Sequence, residues 1–508
     1  MTNFPDTLAD QVTRRLKLAW DQNPLTALKL VCQLRGVRGT GKGDREGFYA
    51  SALWIHQNHP KTVACNVTSF AEFGYFKDLL EILYRLLEGP DVRKHEKAEI
   101  EERKATKGST WYLGRIKRTS EKDRIDAAKK GVERYYNDPI YQFLHNQVAQ
   151  VFADALKADL DNVNASNLKN ISFAAKWCPS LYSFFDRSTL LCESIAKRLF
   201  PRDSHPEYEG IDEAHYAYRV RDRLRKEVLV PLRKVLKLPE IYMSANQWNV
   251  LPYTRVTSIA MRNYKDIAAG ALLPHEIIAS LDSGESGQVA ELQWQRIVDD
   301  LSTIGKLKNC LAICDVSGSM YGVPLEVSVA LELLVSELSE EPWKGKLNTF
   351  SHDPQLHVIE GDTLLSKVRS IERMNWLMNT DFLKVFDKIL EVANKGKLSE
   401  KQMIKRLFVF SDMEFDQASA NPWETDHKAI CRKFDESGYK SVPKIVFWNL
   451  RNLDATPVPS CQKGVALVSE FSKNLLKMFL EEGGVLSPES TMELAIAGEE
   501  YSKLVVID

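Results

Sequence analysis

Several features are missing from this 508-residue chain, and each absence removes a class of function. No run of about 18 apolar residues occurs, so no segment reads as a membrane span. The N-terminus, MTNFPDTLADQVTRRLKLAW, carries polar and acidic residues where a signal peptide needs an apolar centre. The eight cysteines form no CxxC pair and no Cys/His zinc spacing. Scattered thiols of this kind suit a reduced compartment, so a cytoplasmic protein, also compatible with the nucleus, is expected. Neither sign of charge dominates, the formal net charge being −1, so bulk electrostatics give no sign of nucleic acid. No Ser/His/Asp, Cys/His or paired-carboxylate constellation stands out, and the expectation is a binding protein rather than an enzyme.

What is present falls into two halves. Up to about residue 300, apolar residues recur at helical spacing in 24–34, 46–56, 76–87, 146–160, 190–199, 217–235 and 292–304, with Pro and Gly in the connections. Many short amphipathic helices with short linkers predict an α-helical solenoid of HEAT type over 1–300. Residues 91–134 are highly charged and poor in apolar side chains, and read as an exposed, partly helical insertion. From 301 to 508 the pattern alternates. Strands are expected at 309–314, 346–351, 407–412, 444–449 and 465–469, and helices at 324–339, 364–373, 382–393, 426–436 and 471–481. That alternation predicts a doubly wound, Rossmann-like α/β domain with a parallel sheet.

Within this second half, Leu311 to Met320 reads LAICDVSGSM. A strand-like run delivers Asp315, Ser317 and Ser319 onto the loop that follows. One carboxylate and two hydroxyls are hard oxygen donors, suited to Mg2+, Mn2+ or Ca2+ rather than Zn2+. The carboxyl edge of an open α/β sheet is where ligands bind. Thr380 precedes an amphipathic stretch, and Asp412 closes the strand pattern LFVFSD. Asp315, Ser317, Ser319, Thr380 and Asp412, in this order, resemble the metal-ion-dependent adhesion site of von Willebrand factor A domains. The resemblance covers roughly residues 300 to 508. It implies direct ligation by the three hydroxyls and support from Asp315 and Asp412 through water or hydroxyl contacts. It also implies one open position, for an acidic group of a partner. Mg2+ is the first metal expected. A haloacid-dehalogenase-type phosphatase also begins with an Asp after a strand, but needs a second Asp where this chain has Ser317.

In the first half, Gly36 to Gly43 nearly matches a phosphate-binding P-loop. Gly43 stands where the Mg2+-binding hydroxyl is needed, however, and a helix rather than a buried strand precedes it. The segment LRGVRGTGKGDREGFYASALW, followed by Phe76-Lys77-Asp78-Leu79-Leu80, resembles the start of the TROVE module of Ro autoantigen proteins. In those proteins a helical, HEAT-like ring precedes a von Willebrand A domain. Trp177-Cys178-Pro179, Trp248 to Tyr253 and Leu272 to His275 are similar to an uncharacterised family, plentiful in plants, with the same organisation. The resemblance implies binding of small structured or single-stranded RNA by the helical part, in a ribonucleoprotein. Phosphate contacts require clustered Lys and Arg. The candidates are Arg35, Arg38, Lys42 and Arg45 on the glycine-rich turn, then Arg115, Lys117 and Arg118 beside Trp111 and Tyr112. A third set, Arg219, Arg221, Arg223, Arg225 and Lys226, alternates with acids like a solvated helix face. The alternative expectation is a metal-dependent protein-interaction scaffold with no RNA role, its partner donating an Asp or Glu. A monomer is expected.

Overall fold

A computed structural model describes residues 8–37, 41–107, 121–236, 273–281, 286–315, 318–350, 355–373, 382–412, 422–451, 464–469, 479 and 488–508. Two compact units emerge. One comprises Leu8–Arg38, Gly43–Arg255 and Ser502–Asp508, and the other is built on Val256–Tyr501.

The first unit is helical. Several of its helices begin where side chains satisfy the free backbone N–H groups of a first turn. Asn23 accepts from Thr26 N, Asp44 from Gly47 N, and Asp138 from Ile140 N and Tyr141 N. Pro24, Pro60 and Pro139 sit at first helical positions, where no N–H is needed. The long helix Pro139–Asn164 buries Leu144, Val148, Phe152 and Leu156 at helical spacing. The charged stretch after residue 91 includes the helices Val92–Lys107 and Glu121–Asn137. It is anchored, not merely exposed. Arg93 forks onto both oxygens of Glu81, and a Cβ on Gly131 would lie 2.1 Å from the Ser188 carbonyl oxygen. The segment Ser502–Asp508 also belongs to this unit. Asp508 carboxylate oxygens accept from Lys61 N and Thr62 N, both at 3.0 Å, and so cap helix Pro60–Cys65, which has no cap of its own.

The second unit holds a mixed six-stranded sheet. Its strands are β1 (Cys310–Asp315), β2 (Lys346–Phe350), β3 (Leu356–Val358), β4 (Arg406–Ser411), β5 (Lys444–Asn449) and β6 (Val465–Ser469). The order is β3-β2-β1-β4-β5-β6, with all pairs parallel except β2–β3. Central β1 is buried along its whole length, as expected for a parallel strand covered on both faces. One face packs Cys310, Ala312, Phe408, Phe410 and Trp448 against helix Val323–Leu338 and its neighbours. The other packs Leu311, Ile313, Val409 and Phe447 against Val385, Phe386, Ile430 and Phe434.

Two expectations differ from this fold. Residues 274–300 fall in the expected helical half, with a helix read over 292–304; the structure forms helices Pro274–Ala279 and Ser286–Ile304 there. Their Ile277, Trp294, Ile297 and Leu301 instead join the core over Leu331 and Leu334, so the α/β unit begins well before residue 301. The antiparallel edge strand β3 was not anticipated. The expected helix 471–481 lies almost wholly outside the described residues.

Candidate functional site

The carboxyl edge of the sheet gathers the polar side chains. Parallel pairing puts β1, β4, β5 and β6 in step, so Asp315, Ser411, Asn449 and Ser469 end adjacent strands at one level. Asp315 is 2% exposed and Asp412 fully buried. Ser411 Oγ donates to Asp315 Oδ2 at 2.6 Å, which fixes the carboxylate's orientation. Beyond β1 the chain turns through Gly318–Met320 and enters helix Val323–Leu338 at Gly322, whose φ of +94° suits a residue without a Cβ. Half-buried Ser319 lies on that turn, accessible at the edge. The structure thus brings Asp315, Ser319 and Asp412 to one end of adjacent elements. Ser317 and Thr380 lie outside the described residues.

The donor chemistry fits a hard cation. Two buried carboxylates and a hydroxyl are hard oxygen donors, of the kind that ligate or support such an ion. Among the described residues, His, Cys, Asp and Glu form no cluster of three potential metal ligands, so a cation here would depend on hydroxyl oxygens as well.

Sequence reasoning missed two polar residues at this edge and a third two residues below it on β2. Ser411 was passed over as part of an apolar strand. Asn449 Oδ1 accepts from Arg451 N at 2.9 Å, while among the described residues its buried Nδ2 has no hydrogen-bond partner. Asn348, on β2 beside Ile313, is fully buried, and among the described residues neither polar atom of its amide has a hydrogen-bond partner. A polar residue ending an otherwise apolar strand, as in KIVFWN, is the signal that could have found Asn449. Beneath β1, Cys314 Sγ lies 2.7 Å from Ser328 Oγ, and burial pushes the neighbouring Glu332 carboxyl well above the usual range.

The basic turn of the helical unit fares differently. Arg35 is not available to a ligand. It is 2% exposed and forks onto Asp78, with Nε–Oδ2 at 2.8 Å and a second bond to Oδ1 at 3.1 Å. Tyr49 Oη and Tyr75 N also donate to that carboxylate. Removing a guanidinium from water is tolerated only with such pairing, and here the pair is structural. Arg45 is exposed and pairs with Glu46, and Lys42 lies on the bend before helix Arg45–Asn58. Arg38, Arg115, Lys117 and Arg118 lie outside the described residues, with Trp111 and Tyr112. On the helix face from residue 213, Arg223 pairs with Glu227, Lys226 with Asp222, and Arg221 with Glu193. Those cations serve the helix.

Two family models match. Residues 2–267 match DUF2828 and residues 309–504 match DUF7788, each described as a domain of unknown function. The chain belongs to the DUF2828 family. A relative of this DUF2828 protein is uncharacterized protein L728 of Acanthamoeba polyphaga mimivirus. It is 29% identical over 508 aligned positions, which cover 91% of this chain and 77% of the viral protein. Among solved structures, the Ro (RSR) protein of Deinococcus radiodurans matches with 12% identity and a TM-score of 0.34, over 96% of this chain and 91% of that one. No described helix is long and apolar enough to cross a membrane.

Proposed function

We propose that this DUF2828 protein is a non-enzymatic binding protein of Ro-like organisation. Its α/β unit is a von Willebrand A-type module that captures an acidic ligand through a Mg2+-type site. Its helical unit binds small structured or single-stranded RNA. The observation that carries the reading is the placement of Asp315, Ser319 and Asp412 together at the carboxyl edge, at neighbouring strand ends, with Ser411 holding Asp315. A doubly wound strand order adds support. Ser319 would hold the cation, with Ser317 and Thr380, and Asp315 and Asp412 would orient it. The bound ion would supply a Lewis-acidic position for a ligand carboxylate or phosphate oxygen. Capture rather than turnover is the outcome this reading expects.

RNA enters through the sequence resemblance to Ro proteins. A scaffold without RNA is the second reading, favoured by one observation: Arg35, Arg85, Arg93 and Arg223 are all consumed by internal carboxylates. Crosslinking and sequencing of RNA held by the full-length protein, at two salt concentrations, separates the two. The first reading predicts a defined RNA set that fades as salt rises. Recovery of no RNA, with a protein partner lost on EDTA treatment, would leave the scaffold.

A further inference from the structure

The amino edge of the same sheet, the end away from Asp315, carries a cavity of about 340 Å3 lined by residues that precede β1, β4 and β5. Five cations converge on it: Lys306, Lys308, Lys405, Arg406 and Lys444. One acid, Glu400, lines it, and Glu400 Oε1 already accepts from Lys440 N and Ser441 Oγ. Among the described residues, neither Lys306 nor Lys405 has a carboxylate at ion-pair distance. The floor is apolar, made by Met403, Ile404 and Val442. Parallel pairing enforces the convergence. Cys310, Arg406 and Lys444 stand side by side at the strand starts, so the basic residues flanking each strand meet at one end. Lys308, Arg406 and Lys444 have partners of their own, Arg406 donating to the Phe479 carbonyl, so Lys306 and Lys405 lead the positive potential of this concave, partly apolar site, which falls off over a Debye length of ~8 Å. Strands of this length put the groove ~16 Å from the Asp315 edge, taking ~3.3 Å per residue.

We propose that this groove is a second ligand site, specific for a nucleotide's phosphates, with the base or ribose on the apolar floor. Consecutive negative charges match the cluster of cations, and the volume lies in the ~300–1,000 Å3 range of small-molecule sites. The same chemistry is presented by a free nucleoside triphosphate and by neighbouring nucleotides of an RNA strand. The second source rests on the RNA reading above; the groove itself does not.

The test uses the full-length protein, with ATP, inorganic phosphate and a fluorescent ten-nucleotide oligouridylate as probes, at about 50 and 200 mM salt. The variants are Lys306→Glu/Lys405→Glu and the milder Lys306→Gln/Lys405→Gln, with circular dichroism as the fold control. The groove predicts that ATP or oligouridylate binds more tightly than inorganic phosphate. It predicts tenfold or greater loss in the charge-reversed variant, an intermediate loss in the glutamine variant, and weakening with salt. ATP binding that the variants weaken, without oligouridylate binding, supports a free-nucleotide site and removes an RNA strand as the groove's occupant. RNA binding that ATP displaces supports a strand seated in the groove. RNA binding unaffected by both variants, with no binding of ATP, overturns the groove and leaves the RNA reading on the helical unit standing. Failure of all three probes to bind overturns the groove as well.

Discussion

Substituting Asp78 by Ala tests whether Arg35 is a structural residue rather than an RNA contact. Asp78 is 1% exposed and accepts four hydrogen bonds, from Arg35 Nε, the second Arg35 nitrogen, Tyr49 Oη and Tyr75 N. Truncation leaves the Arg35 guanidinium buried with no carboxylate. Breaking a buried pair in this way costs about 3–5 kcal/mol. That is roughly two to three and a half orders of magnitude in the folding equilibrium of the helical unit, at ~1.4 kcal/mol per decade. Urea unfolding of the full-length protein, followed by tryptophan fluorescence and far-UV dichroism, measures it. The diagnostic comparison is the double variant Arg35→Met/Asp78→Ala, which removes the stranded charge and should be more stable than Asp78→Ala alone. A loss under about 1 kcal/mol, or a double variant less stable than the single one, would refute the buried-pair account.

Other outcomes follow from the same structure. Gly74→Ala should destabilise the same network, because a Cβ there would lie 2.2 Å from Asp78 Oδ2; a melting temperature at or above that of the wild type would contradict it. His145 is buried with Nε2 bonded to the Thr189 carbonyl, and burial lowers its pKa to about 4. The unfolded chain, titrating near ~6.5, then binds a proton that the native one refuses. Stability should therefore fall as pH drops from about 6.5 toward 4, and His145→Gln should flatten that limb of a pH–urea series. Asp508→Ala removes the cap on helix Pro60–Cys65 and should cost roughly 0.5–2 kcal/mol by analogy with N-caps, seen as faster amide exchange at Lys61 and Thr62.

The sheet was legible because its parallel strands are short, continuous apolar runs bounded by turn residues. Lys444–Asn449 and Val465–Ser469 coincide with the expected spans, and the others agree within a residue or so at each end. Strand β3 was not legible: three residues, half exposed on an antiparallel edge, leave no hydrophobic period to read. Helical periodicity marked 292–304 as amphipathic, but could not say which core its apolar face would meet. Arg35 was misread for a related reason. Its neighbours in sequence are glycine and cations, whereas its partner Asp78 lies 43 residues on. That Asp315, Ser319 and Asp412 come to the carboxyl edge was legible from the strand pattern and the loop after β1. Asn348, Ser411 and Asn449 became visible only when strand register set them around it. The amino-edge groove is the extreme case, since its cations are spread from Lys306 to Lys444 and meet only through the sheet.

The central claim is a hard-cation site at the carboxyl edge, and Mn2+ binding to the full-length protein, read by electron paramagnetic resonance, tests it most directly. The account predicts one Mn2+ per chain, displaced by Mg2+ and lost in Asp315→Ala while the dichroism spectrum is retained. Absence of stoichiometric Mn2+ binding, or binding undiminished in Asp315→Ala, would contradict it.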